Sequence, residues 1–144
     1  MKVTTRGRYA VMALVSLAGH SRGNPVPIQF IARQDSIPES YLQQLFLRLR
    51  KKNIVKSVRG PGGGFILSRH PSEITVGEII RTAEGRQAAV GCRKTGRQCS
   101  MINKCRTQGM WDALEGRIDE FLDSISLEDL FDNERTEPAR EAKA

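Results

Sequence analysis

Ser36-Ile37-Pro38-Glu39-Ser40-Tyr41-Leu42-Gln43-Gln44-Leu45-Phe46-Leu47-Arg48-Leu49-Arg50-Lys51-Lys52, with the residues that follow it to Leu67, decides how this chain folds. Leu42, Leu45, Phe46 and Leu49 recur at helical spacing and share one face. Ser36 has a capping-box relation to Glu39, and Pro38 is compatible with a first helical turn. The opposite face carries Ser40, Gln43, Gln44, Arg48 and Lys51: hydrogen-bonding groups first, cations nearer the far end. Ile54 to Arg59 reads as a strand, Gly60-Pro61-Gly62-Gly63-Gly64 as a turn, and Phe65-Ile66-Leu67 as a return strand.

Working back toward the N-terminus, Ala10, Leu14, Leu17 and Ala18 form the stripe of a helix from about Arg6 to Gly19. Thr4 or Thr5 would cap it, and the stripe is expected to pack on the polar-faced helix. His20, after a glycine, reads as an exposed residue at the helix end. Arg22-Gly23-Asn24-Pro25 is a turn. Ile28, Ile31 and Ala32 predict a short helix from about Gln29 to Gln34, with Asp35-Ser36 as the tight connection onward. Two helices joined by a short turn, the second polar on one side and followed by a hairpin, form the pattern of a winged helix-turn-helix. The glycine run is not a phosphate-binding P-loop, because it leads through Phe65-Ile66-Leu67 into a strand and lacks Gly-Lys-Ser/Thr. As a hairpin tip it lets the backbone at Gly60 lie close to a nucleic-acid strand, with Arg59 placed to enter a minor groove; a merely flexible turn is the plainer reading.

Downstream, His70-Pro71-Ser72 breaks the chain, with His70 as an exposed residue after the strand. Thr75 and Glu78 repeat the capping-box spacing, and Val76, Ile79, Ile80 and Ala83 predict a fourth helix ending near Gly85. Helical period returns at about Cys105. Trp111, Leu114, Ile118, Phe121, Leu122 and Ile125 make an aromatic-rich seam opposite Asp112, Glu115, Asp119, Glu120 and Asp123. Such a seam either covers its own domain or pairs with a second copy. Recognition units of this kind bind symmetric half-sites, which favours a homodimer. Ser126 to Phe131 reads as one more turn, and residues 132–144 as a disordered tail.

The formal charge of +7 is unevenly spread. Residues 1–60 hold 11 Lys/Arg against Asp35 and Glu39 alone, whereas residues 111–144 hold 4 Lys/Arg against 11 Asp/Glu. A basic front beside the helix and wing points to a polyanion, and to double-stranded DNA rather than a membrane surface. On this reading Ser40, Gln43 and Gln44 meet base edges, Arg48, Lys51 and Lys56 meet phosphates, and Arg59 with Gly60 forms the wing contact.

The 3 cysteines, Cys92, Cys99 and Cys105, lie in one polar, cation-rich segment with Arg93, Lys94, Arg97, Lys104 and Arg106. An odd, clustered set argues against a disulfide framework and for a reducing compartment with a metal or redox role. Positive neighbours lower thiol pKa and offset the charge of a thiolate-ligated centre. By residue chemistry alone, an iron–sulfur cluster and zinc stand level, and a thiol redox switch is the remaining alternative. An oxidoreductase is disfavoured: there is no Cys-x-x-Cys pair, cofactor fingerprint or nearby histidine. Lys2, Arg6 and Arg8 before Tyr9 to Ala18 imitate a signal peptide, but the stripe and the reduced cysteines favour a cytoplasmic protein. No apolar run approaches the roughly 20 residues of a membrane span.

Four stretches together give the chain a resemblance that covers residues 1–131: Thr5 to Val11, Ser40 to Phe46, Val58 to Phe65, and the three cysteines leading into a helix with Trp111. The chain resembles the iron–sulfur-cluster regulators of the Rrf-two family of winged-helix transcription factors. The resemblance implies a homodimeric regulator with a 2Fe–2S cluster in each chain, control of cluster-assembly genes, and cluster-assembly proteins as further partners. It also implies Cys92, Cys99 and Cys105 as ligands; some relatives hold a 4Fe–4S cluster on three cysteines. Three departures stand out. Gln108 occupies the position where relatives of this type carry a ligating histidine. It shares the expected helical face of Cys105, but an amide is a poor iron ligand. The spacing between Cys92 and Cys99 is one residue longer than in many relatives, and Gln43 replaces a glutamate. A neutral Gln43 suits adenine's edge, whereas a carboxylate would accept from cytosine and repel phosphate.

The expected fold is therefore mainly α with a small β-wing. It comprises a winged helix-turn-helix domain (1–85), a cysteine-bearing loop (86–104), a long dimerisation helix with a short C-terminal turn (105–131), and a tail (132–144).

Overall fold

Leu14, Leu17, Ile31, Leu42, Phe46 and Leu49, the apolar stripes of the first three helices, are fully buried and meet in one cluster. They do so in a computed structural model, which describes residues 3–85 and 104–136, with side chains up to Asp132. The order is α1 (Thr5–Ser21), α2 (Ile28–Asp35), α3 (Glu39–Lys51), β1 (Val55–Val58), β2 (Gly64–Leu67), a 3-10 turn (Pro71–Glu73), α4 (Val76–Glu84), α5 (Gln108–Ser124) and α6 (Leu127–Thr136). The mainly helical, winged architecture expected from the sequence is the one observed.

The turn between α2 and α3 is built differently from the expected capping box. Ser36 is not the cap of α3; it closes α2 in a left-handed conformation (φ 54°), and Pro38 precedes α3 as its cap residue. The Ile37 amide reaches back to the Ala32 carbonyl at 3.0 Å, and the Ile37 side chain is buried. That closure turns Ser36 into the end of one helix and leaves no side-chain cap on the next. The same device ends α3. Asn53 is left-handed (φ 56°), and buried Ile54 donates to the Leu49 carbonyl at 3.0 Å.

β1 and β2 pair antiparallel, Val55 with Leu67 through Val58 with Gly64. Val26 adds a bridge to Phe65, with both backbone hydrogen bonds at 2.9 Å. Gly64 is required there, because a β-carbon would run into the Val26 carbonyl. Phe65 in turn meets Phe46 edge-on at 4.8 Å, which fixes the wing to α3.

Two expectations about packing are corrected. The stripe of α1 packs chiefly against α4, and less on α3. Glu84 adds a polar tie between α4 and the start of α1: its Oε1 accepts from the Thr4 amide (2.7 Å), the Thr4 hydroxyl (2.5 Å) and the Gly7 amide (2.9 Å). The hydroxyl of Thr4 thus serves Glu84 rather than its own helix, and a carboxylate from α4 satisfies the start of α1. The second correction is at the C-terminus, where a full helix replaces the single turn. Ser126 and Asp129 cap α6 reciprocally, Leu127 is fully buried in the main core, and helix continues to Thr136 through residues expected to lack order. The cysteine-bearing loop up to residue 103 and the tail beyond 136 lie outside the described residues.

Glu84→Ala leaves the α1 amides without their acceptor and is expected to cost roughly 1–3 kcal/mol, read as a lower urea midpoint. An unchanged midpoint would show that water serves those amides equally well. Asp35 gives a pH signature. Its Oδ1 accepts the Ser16 hydroxyl at 2.7 Å, while Oδ2 is buried without a hydrogen-bond partner among the described residues. Burial pushes its carboxyl above the ordinary value, against smaller lowering effects of Ser16 and His20. A raised carboxyl is protonated more readily folded than unfolded, so its ionisation costs stability near neutrality and the cost disappears as pH falls through the folded value. Asp35→Asn keeps an acceptor for Ser16. Its melting temperature should equal or exceed that of the parent at pH 7, with the difference gone below about pH 4, where the unfolded carboxyl is protonated too.

Candidate nucleic-acid interface

The burial of Leu42, Leu45, Phe46 and Leu49 forces the other side of α3 outward. Ser40, Gln43, Gln44, Leu47 and Lys51 are all exposed there, at successive turns of the helix. The Gln43 amide nitrogen donates to Glu39 Oε1 at 3.2 Å. At the wing, Lys56, Arg59 and Gly60 are exposed, and Gly60 takes φ 101°, so the hairpin tip needs a residue without a side chain. Gly63 donates to the Gly60 carbonyl at 2.9 Å and closes that tip.

Arg48 is placed otherwise. Its Nη1 donates to the Ala83 carbonyl at 3.0 Å, so the guanidinium ties α3 to the last turn of α4. With Lys51, Lys52 and Arg81 it lines an open cleft of about 690 Å³ between the two helix ends. Lys52 and Arg81 were not named as interface residues from the sequence, nor were Arg6 and Arg8, which are exposed in the first turn of α1. Tyr9 meets Tyr41 edge-on at 5.7 Å, bringing that turn beside the start of α3. The accumulation of basic residues before position 60 was the available signal, but charge alone does not say which cations share a face. Glu39 was also passed over as a site residue, although its spacing to Gln43 is that of an interacting helical pair.

The cysteine segment is described only at its end. Cys105 is half-buried and precedes α5 rather than lying on it, so Gln108, the first residue of that helix, does not share a helical face with it. The Thr107 hydroxyl accepts from the Trp111 indole at 3.1 Å and lies 3.4 Å from Cys105 Sγ, a hydrogen bond in which a thiolate would accept the hydroxyl proton. This bond, then the backbone amide of Thr107 and lastly that of Gln108, lowers the Cys105 thiol pKa, with burial acting the other way. Lys104 and Arg106 flank it, both exposed. Cys92 and Cys99 lie outside the described residues, and among those described no three His, Cys, Asp or Glu side chains converge on a metal-sized site.

The seam of α5 finds little cover among the described residues. No residue of α5 is buried; Phe121 is 64% exposed, Met110 55% and Leu114 43%. Among the described residues, its anchors lie toward its C-terminal end. Arg81 binds Asp123 at 2.5 Å, and the backbone pairs Val76–Ile125 and Leu127–Ile74 at 2.9 and 2.8 Å join it to the winged domain. No described helix is long and apolar enough to cross a membrane.

A helix-turn-helix with an exposed polar helix, cations at its end and a glycine-tipped wing defines a winged-helix DNA-binding regulator of transcription. The Rrf2 family model, described as an iron-dependent transcriptional regulator, matches residues 3–133, and the chain belongs to that family. It is 46% identical over 135 residues to the HTH-type transcriptional regulator IscR of Photorhabdus laumondii, covering 93% of this chain and 81% of that one. The IscR of Escherichia coli is 42% identical over 134 residues, covering 93% and 82%. Among solved structures, IscR from T. potens superposes with a TM-score of 0.76 at 37% identity, covering 96% of this chain and 93% of that one. The global cysteine regulator CymR of B. subtilis gives 0.75 at 33%, covering 92% and 98%. These relatives are regulators, not enzymes.

Gln44→Ala is expected to relax sequence preference at one base pair, whereas Lys51→Ala should weaken binding to all sequences alike and lower the salt slope by about one. Binding isotherms on selected and scrambled duplexes at several salt concentrations separate the two. An unchanged preference in Gln44→Ala removes that residue from the readout.

Proposed function

We propose that this chain is a cytoplasmic, homodimeric transcription regulator that reads iron–sulfur cluster status through Cys92, Cys99 and Cys105 and controls genes of cluster assembly. Ser40, Gln43 and Gln44 read bases, Lys51, Lys56 and Arg59 hold the backbone, and Gly60 lets the wing approach it. Arg48 contributes charge from its seat against α4. The observation that carries the sensing part is the setting of Cys105. Its thiol is lowered in pKa and flanked by Lys104 and Arg106, immediately ahead of the helix whose apolar seam is open. Those are the conditions that favour a ligating thiolate.

A 2Fe–2S cluster, or a 4Fe–4S cluster as in some three-cysteine relatives, would supply an iron centre sensitive to supply and oxidation. The residues do the rest. Ligation through three cysteines would order residues 92–105 and fix the start of α5 relative to the winged domain. The open seam of α5 pairs with its copy in a second chain, and the two recognition helices are then held at a defined separation. Gln108 offers only an amide, a poor iron ligand, at the position where relatives place histidine; the fourth ligand is open between water, a small thiol, Gln108 itself and a carboxylate from elsewhere.

Iron, acid-labile sulfide and zinc per chain, measured on protein purified without oxygen, test this. About two irons and two sulfides are expected, and about four of each would assign the larger cluster. Zinc or no metal would leave a DNA-binding regulator stabilised by zinc or switched by thiol chemistry. Cys99→Ala should shift preference among promoters while retaining DNA binding; equal affinities of both proteins for every promoter would remove the sensing role.

A further inference from the structure

Glu39 and Gln43 stand one helical turn apart on the exposed face of α3, joined by the Gln43 Nε2 to Glu39 Oε1 hydrogen bond at 3.2 Å. A carboxylate only accepts, so the atom of the Gln43 amide that faces Glu39 must be nitrogen, and the amide oxygen must face away. Glu39 opens the helix, where the aligned peptide dipoles favour its negative charge.

An unrestrained glutamine is a permissive reader. Turned one way it offers an acceptor and a donor, which match the N6 amine and N7 of adenine. Presenting both N–H groups, it matches the two acceptors, O6 and N7, of guanine. The bond to Glu39 takes one of those N–H groups. Reversing the amide would set its oxygen against a carboxylate. The oxygen and the second N–H remain free; together they match the N6 amine and N7 of adenine, and they no longer match the paired acceptors O6 and N7 of guanine.

We propose that Glu39 is a positioning residue that restricts Gln43 to the adenine edge, and so sets specificity without touching a base. This rests on the reading of Gln43 as a base contact. Glu39→Gln is the informative variant, because it keeps size and helix propensity but can donate as well as accept, and so tolerates a reversed Gln43 amide.

The probe is a duplex recovered by this protein from a random-sequence pool, with its single-base variants at every position, bound by the parent, Glu39→Gln, Gln43→Ala and the double variant. Circular dichroism confirms that each is folded. Glu39→Gln is expected to reduce adenine preference at the pair sensitive to Gln43 by about fivefold or more, the scale of one good bidentate contact. In the Gln43→Ala background it should change no preference. Loss of the charge raises affinity for all sequences alike, and that uniform gain is not the readout. If Gln43→Ala alters base preference and Glu39→Gln alters only overall affinity, Glu39 does not position Gln43. If Gln43→Ala alters no preference at any pair, the base-contact reading fails and the proposal falls with it.

Discussion

The polar face of α3 exists because its other face cannot leave the core. Leu42, Phe46 and Leu49 are fully buried and Leu45 nearly so. Rotating α3 about its axis to hide any of the exposed polar side chains would bring one of these into water, at about 1.5–3 kcal/mol for each large side chain exposed. The helix is therefore locked in azimuth by packing, and the orientation of Ser40, Gln43 and Gln44 follows from it. Phe65 extends the lock to the wing through its edge contact with Phe46. The position of Arg59 is thus referred to the same buried surface as the glutamines.

The ends of α3 are fixed by backbone rather than by side-chain caps. At Ser36-Ile37 and again at Asn53-Ile54, a left-handed residue is followed by a buried isoleucine whose amide closes the preceding helix. Each closure puts a polar residue in a strained region and offsets that cost with an apolar side chain delivered to the core. The turn of the helix-turn-helix and the entry to the wing are two uses of one local solution.

These closures show where sequence reading works and where it stops. The stripe of α3, the glycine-tipped hairpin and the seam of α5 were legible because each rests on periodicity or on a conformation that glycine favours. Ser36 was misread because its spacing to Glu39 satisfies a capping box equally well. What decides against the box is the burial of Ile37, a tertiary fact. Glu84 was invisible for the same reason, since it satisfies donors from the opposite end of the domain, 77 and 80 positions away in the chain. The helix α6 carries too few apolar residues to announce itself and depends on the seat that Leu127 finds in the core. On the outer face of α3, the exposure of Ser40, Gln43 and Gln44 was legible from their type and spacing. That Arg48 would be drawn to the Ala83 carbonyl was not, because nothing in the sequence places the end of α4 beside α3.

Among the described residues, α5 is held chiefly toward its C-terminal end, in the manner of a cantilever. Arg81, Asp123 and the backbone pairs around Ile125 clamp its base, and the docking of α6 onto α1 prevents the clamp from swivelling. From that base 17 residues project, a length of about 25 Å at the rise of an α-helix. A tilt of roughly 10° at the clamp displaces the far end by about 4 Å over such a length, close to the rise of one base pair. Small repacking at the base is thus magnified along the helix, and Cys105 sits just beyond the end where the displacement is largest.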